Sequence, residues 1–195
     1  MTEKISRENK KLQLRENILN AAAHEFAERG FIHTTVSNIM NRANLGVGTF
    51  YNYFGSKEEV LMNLVKNLFT EVEKKIQAEK NLSSLELLQN ACEYTAALIE
   101  KNKFILPLLG SAMNHADKPE LLPKNLSPSF KKIFEEIILR GQSNKEIRAD
   151  IPADLISELF HSIYQAAAFS KLDISFRENV RLKVKILLDG LILRS

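Results

Sequence analysis

The sequence predicts an all-α chain of about nine helices, divided into a small N-terminal part over residues 1–56 and a larger helical part over residues 57–195. Three observations carry that reading. Apolar residues recur at the helical spacing in segment after segment. No segment alternates apolar and polar residues between hairpin turns. Between Thr34 and Phe54, two short helical patterns, Val36 to Ala43 and Val47 to Phe54, flank the tight turn Asn44-Leu45-Gly46, the layout of a helix-turn-helix. Helices this short do not stand alone, so their neighbours must hold them.

The opening MTEKISRENK is polar and aperiodic and reads as a frayed arm, whose Lys4, Arg7 and Lys10, with Lys11, suit a phosphate backbone. The first helix runs from Leu12 to Arg29, buries Ile18, Ala21, Ala22 and Phe26, and is stopped by Gly30, after which Phe31 packs back. Thr34 and Thr35 suit the N-cap of the next helix. Ser56 with Glu59 forms a capping box opening a connector helix over 57–79, whose rows Leu61, Leu64, Leu68, Val72 and Val65, Phe69, Ile76 make a stripe wide enough for two partners. Ser83 with Glu86 opens a helix to about Glu100 in the same way. Over 102–124, Pro107, Gly110, Pro119 and Pro123 interrupt an apolar run, giving a broken helix and a loop. Ser127-Pro128 opens a helix expected to end at Arg140 before Gly141, and Pro152 opens another to Ser170. Ser175 with Glu178 caps the last, Phe176 to Leu193.

Hydrophobic content of 45% and charged content of 26% are those of an ordinary globular protein. No apolar run approaches the roughly 18–20 residues that span a bilayer, so no membrane partner is expected and the cytoplasm is the expected location. The single cysteine, Cys92, excludes an intrachain disulfide and a multi-cysteine zinc site, and no metal or cofactor is expected. The net charge of +3 lies wholly in residues 1–57, which hold eight Lys/Arg against five Asp/Glu and so favour phosphate contact at the helix-turn-helix end.

On a helix starting at Val47, Phe50 and Phe54 face the core with Val47 beside them, while Gly48, Thr49 and Asn52 face outward. Asn52 suits adenine, Thr49 offers a hydroxyl and a methyl, and Gly48 permits close approach. Tyr51, Tyr53 and Lys57 flank that face and are expected to grip phosphates, as are the helix N-terminus at Thr34 and Thr35, and Ser37. Gly46 and Val47 supply few hydrogen-bond donors, so affinity is expected to rest largely on phosphates and DNA shape.

The stretch from Arg15 through Val65 resembles the DNA-binding segment of the TetR family of bacterial transcriptional regulators. The likeness rests on the Ile-x-x-Ala-Ala-x-x-x-Phe pattern of the first helix, Gly30-Phe31, Thr34-Thr35-Val36, Ile39, Ala43, Gly48-Thr49-Phe50-Tyr51, Phe54 and Ser56-Lys57-Glu58. Asn44 stands where that family usually has glycine, and Gly46-Val47 where polar side chains often sit. The resemblance implies a three-helix DNA-binding head on a divergent ligand-sensing body, a homodimer formed through the last two helices, and a repressor released from a two-fold symmetric double-stranded DNA operator by a small-molecule effector.

In the last two helices, two apolar faces exceed what one core can use, and a dimer interface is expected among Leu155, Leu159, Ile163, Val184, Leu187, Leu188 and Leu191. Candidate ligand-lining residues are Phe69, Cys92, Thr95, Phe104, Leu108, Met113, Phe134, His161, Tyr164, Gln165 and Phe169, a mixture suited to a largely apolar ligand. The alternative is a DNA-bound adaptor whose body recruits a protein. An enzyme is not expected: Glu158-x-x-His161 is one copy of a pair that di-metal sites need twice, and Cys92 has no catalytic partners in sight.

Overall fold

In the computed structural model the described residues are 2–79, 81–102, 104–105 and 128–192, with backbone alone for 2–7 and 128–131. They form eight helices and no named strand. These are α1 (Thr2–Arg29), α2 (Val36–Arg42), α3 (Val47–Phe50), α4 (Lys57–Ala78), α5 (Ser84–Lys101), α6 (Pro128–Ser143), α7 (Ala153–Ala168) and α8 (Phe176–Leu191). No helix among the described residues is long and apolar enough to cross a membrane. The expected broken helix over 102–124 lies mostly outside the described residues, as do Leu108 and Met113.

Four element boundaries differ from expectation. First, α1 begins at Thr2 rather than Leu12. The first turns show no apolar period, and residues 8–13 are exposed, but Glu, Lys and Arg are good helix formers. Second, the regular helix of α3 covers Val47–Phe50, and beyond it the chain mixes tighter bonds, from Asn52 N–H to Thr49 O at 3.2 Å and Tyr53 N–H to Phe50 O at 2.9 Å, with one helical bond from Phe54 N–H to Phe50 O at 3.0 Å. Third, α6 runs through Gly141 to Ser143. A Cβ on Gly141 would lie 2.6 Å from Ile147 Cδ1 and 2.8 Å from Ser84 Cβ, so the glycine allows close approach and is no stop signal. Fourth, α8 ends at Leu191, and Ile192 turns extended to bridge Ile147.

The expected caps are present where their reasons are local. Gly30 ends α1 with φ +77, and Asn44 holds the helix-turn-helix turn with φ 55, a conformation asparagine tolerates. Ser83 and Glu86 form the full capping box of α5. Ser56 caps α4, but Glu59 reaches one residue further back, accepting 2.7 Å from Gly55 N–H.

Two cores result. One joins Ile18, Phe26, Ile39, Met40, Phe50 and Phe54 with Val60, Leu61 and Val65 of α4, and also with Phe104 from beyond α5. The other lies among α4 to α8 around Leu88, Cys92, Phe134, Phe160 and Tyr164. Phe69 packs against both, so α4 and the segment after α5 tie a small head to a larger body.

Candidate nucleic-acid interface

The head is built to hold α3 still. Phe50 and Phe54 are buried with their rings 5.9 Å apart, and the Arg15 guanidinium lies 5.0 Å above Phe54. From α1, Asn17 Nδ2 donates to Ala43 O at 3.1 Å, closing the turn before α3. Thr35 caps α2 in a reciprocal pair with Asn38, whose Oδ1 accepts the Thr35 N–H at 2.9 Å. The three-residue spacing of Thr35 and Asn38 is a readable signal for that cap.

Two cations of the head share one buried carboxylate. Glu25 is 4% exposed and accepts from Arg29 Nε at 2.7 Å and Arg42 Nε at 2.6 Å, while Arg42 also pairs with Glu28. Burial pushes the Glu25 carboxyl up, but the hydrogen bonds and charges of Arg42 and Arg29 outweigh it and hold the carboxyl below its usual range. Sequence reasoning missed this staple, although the i,i+4 spacing of Glu25 and Arg29 hinted at half of it.

Two groups expected at phosphates are engaged within the head in this DNA-free chain. Thr34 is buried, its hydroxyl donating to Gly30 O at 2.8 Å and Glu25 O at 3.2 Å, so it faces the α1 terminus. Lys57 turns inward: its ammonium donates to Phe31 O at 2.9 Å, Ile32 O at 3.2 Å and Thr34 O at 2.9 Å, and lies 4.7 Å over the Phe31 ring. All three of its N–H donors are used in fastening the α1–α2 loop. Exposed cations remain at Lys10 and Lys11 near the start of α1.

What the head presents outward is a short edge. Ser37, Gly46, Gly48, Tyr51 and Asn52 are exposed, Thr35 is exposed at its cap, and Thr49 and Tyr53 are half-buried. Tyr51 stands edge-on to Phe50 with its hydroxyl end in solvent. Val47, expected beside the core, is instead 41% exposed. The space beneath α3 is filled by Phe50 and Phe54.

A family model described as "Bacterial regulatory proteins, tetR family" matches residues 18–64. The chain is 26% identical over 160 residues to the HTH-type transcriptional repressor DhaR of Mycobacterium sp. strain GP1, covering 79% of this chain and 80% of that protein. It is 37% identical over 141 residues to the HTH-type transcriptional regulator YdgC of Bacillus subtilis, covering 71% of this chain and 67% of that one. The chain belongs to the TetR family. It is a DNA-binding transcriptional regulator, not an enzyme. The fold is shared with the FadR transcriptional regulator of Bacillus subtilis solved with stearoyl-CoA, at a TM-score of 0.75 and 17% identity, covering 90% of this chain and 98% of that one.

In this TetR-family body the ligand candidates do not form one group. Cys92, Thr95, Phe134 and Tyr164 are buried together in the body core, with Phe134 stacked on Phe160 at 5.3 Å. The Tyr164 hydroxyl donates to Cys92 O at 3.3 Å. The Thr95 hydroxyl is fully buried beside it without a hydrogen bond of regular geometry. Burial pushes the Cys92 thiol up to about 12 and the Tyr164 phenol well above its usual range, so both stay neutral. His161 and Gln165 are half-buried on α7, and burial lowers the His161 imidazole. Phe104 belongs to the head core and Phe69 to the seam between the cores. Phe169 is exposed at the C-cap of α7.

The seven expected dimer residues also divide. Ile163, Val184 and Leu191 are buried in the body core, and Leu187 and Leu188 are half-buried against it. Leu155 and Leu159 remain exposed on α7, matched on α8 by Leu182 and Ile186, the latter 75% exposed. Between these rows lies a groove of about 450 Å³ lined by Leu159, Ser162, Ala166, Ile186, Leu187 and Gly190, among others.

Proposed function

We propose that this regulator represses transcription as a homodimer and leaves its operator when a small, largely apolar ligand enters the body. The observation that carries the ligand half is the Thr95 hydroxyl, buried in an apolar core without a regular partner beside the Tyr164 hydroxyl. A buried polar group without a partner costs stability, and a ligand carbonyl or amide accepting from Thr95 would recover it. An acyl thioester fits that description, an apolar chain with one polar carbonyl, and the FadR structure with stearoyl-CoA supports the class.

The route to DNA is short. Thr95 lies on α5, and the chain leaving α5 delivers Phe104 into the head, where its ring is 6.5 Å from that of Phe26 on α1. A ligand that shifts α5 displaces Phe104 and retilts the head relative to α4. The exposed rows of α7 and α8 seat the second copy, with Ser162, Ala166 and Gly190 admitting close helix approach. Two heads then address half-sites roughly 34–36 Å apart, or a multiple of that.

The test is a gel-shift selection on DNA flanking the encoding gene, repeated with fatty acyl-CoA and a panel of other lipophilic compounds. A two-fold site released by one ligand class is expected. Thr95→Val should raise the ligand concentration needed for release while leaving the ligand-free affinity for DNA unchanged. Specific DNA binding that no compound of the panel weakens would count against the sensor and favour the adaptor.

A further inference from the structure

The leading edge of α3 lacks the side chains that usually read bases, and the structure indicates what replaces them. Gly46 is its N-cap and makes no side-chain cap bond. A Cβ placed on Gly46 or Gly48 would meet nothing within 4 Å, and neither glycine has a positive φ. The fold therefore demands glycine at neither position. What the two glycines do is clear the surface around one side chain, leaving the Val47 isopropyl 41% exposed as the sole side chain on that edge. Lone exposed valines are ordinary. This one is the first residue of the helix that enters the groove, in a protein whose DNA-binding role is established by family.

We infer that Val47 reads the C5-methyl group of a thymine in each half-site by apolar contact, and that the flanking glycines let the backbone come close enough for it. Thymine alone among the four bases offers a methyl in the major groove, so such a contact distinguishes it from cytosine at the same place. Val47 is a specificity-determining residue that donates no hydrogen bond. Asn52 and Thr49, further along the same face, supply the polar part of the readout. This inference rests on the proposed two-fold operator, and the experiment is arranged so that the two fail differently.

The operator is first selected from random duplex DNA with the full-length protein. Each conserved dT is then replaced in both half-sites by dU, which removes the methyl and nothing else. Burial of one methyl corresponds to about fourfold in affinity, so the paired replacement should weaken binding by about fifteenfold at one position. For Val47→Ala that particular dU penalty should disappear, and for Val47→Ile it should persist. Val47 lies outside the core, so both variants keep the head folded, which thermal melting checks. A dU penalty of the same size in Val47→Ala, or one abolished by Thr49→Ser instead, overturns the assignment while leaving the operator reading intact. So does an operator with no dU-sensitive position. Failure to select any two-fold operator removes the regulator reading and this inference together.

Discussion

The head and the body differ in how they treat polar groups drawn out of water. In the head, Glu25 sits between Arg29 and Arg42, Thr34 donates to two carbonyls, and Lys57 spends all three donors on the α1–α2 loop. In the body, the Thr95 hydroxyl and the Asn179 amide nitrogen are buried without a regular partner. A satisfied polar network fixes one geometry, and an unsatisfied one leaves energy to be gained by a change of state. The head has to present α3 in one pose to the groove, whereas the body has to answer a ligand.

If that contrast holds, removing head polar groups should be costly and removing body ones should not. The largest loss is expected for Lys57→Met, which takes the ammonium donor from three carbonyls, of which Phe31 O keeps the Thr34 N–H at 3.3 Å, and should lower stability by about 2–3 kcal/mol. Denaturant unfolding followed by circular dichroism measures it. If Lys57 stays on these carbonyls in the DNA complex, the salt dependence of DNA binding should keep the slope of the parent protein. A slope smaller by about one charge would return Lys57 to the DNA backbone.

Glu25→Gln comes next, at about 2 kcal/mol, moderated because Arg29 and Arg42 keep contact with water. Its pH dependence carries a sign. The Glu25 carboxyl is held below its ordinary value, so its contribution is complete above that value and is lost as pH falls through the lowered one. The gap in melting temperature between parent and Glu25→Gln should therefore be full at neutral pH and close only as pH falls below the ordinary glutamate value. Other carboxylates, Glu79 and Glu146 among them, are also held low and persist in both proteins, so the difference isolates Glu25.

Gly141→Ala probes the body where it is tight. The added methyl would meet Ile147 and Ser84 inside 3 Å. Overpacking should cost about 1–2 kcal/mol despite the better helix propensity of alanine, again read by denaturant unfolding. A neutral result would show that the base of α5 and α6 gives way as readily as the core near Thr95, which would blur the contrast.

The residues concerned also explain which parts of this molecule could be read from sequence. Caps at Gly30, Asn44, Ser83 and Ser175 depend on neighbours within a few positions, and the order of residues displays them. The helix-turn-helix was legible for the same reason. The bonds of Lys57 were not legible because the three carbonyls it fastens lie 23–26 residues earlier, out of reach of any local pattern. Gly141 misled because its neighbours Ser84 and Ile147 arrive from other parts of the chain. In α8 the apolar rows were visible, but only the packing of α5 and α7 against it decides that Val184 and Leu191 turn inward and Ile186 outward. The tightening of the chain after Phe50 was hidden too, since Phe50 and Phe54 keep helical spacing while the bonds from Asn52 and Tyr53 N–H shorten to three-residue steps.

The smallest expected effect is the most discriminating. Thr95→Val replaces a buried hydroxyl by a methyl of nearly equal size, removing a polar group that lacks a regular partner and adding apolar contact with the body core. In the head, deleting a polar group opens a deficit; at this position it removes one. The variant should therefore gain about 0.5–1 kcal/mol in denaturant unfolding. The same substitution should dull the response to ligand, because the state to be relieved has been relieved in advance. A stabilised protein with an unchanged ligand response would separate the two effects and move the polar handle away from Thr95. A destabilised one would mean that Thr95 already holds a partner such as the Tyr164 hydroxyl firmly, so that the body core is as satisfied as the head and the change of state must be sought elsewhere, at Asn179 on α8.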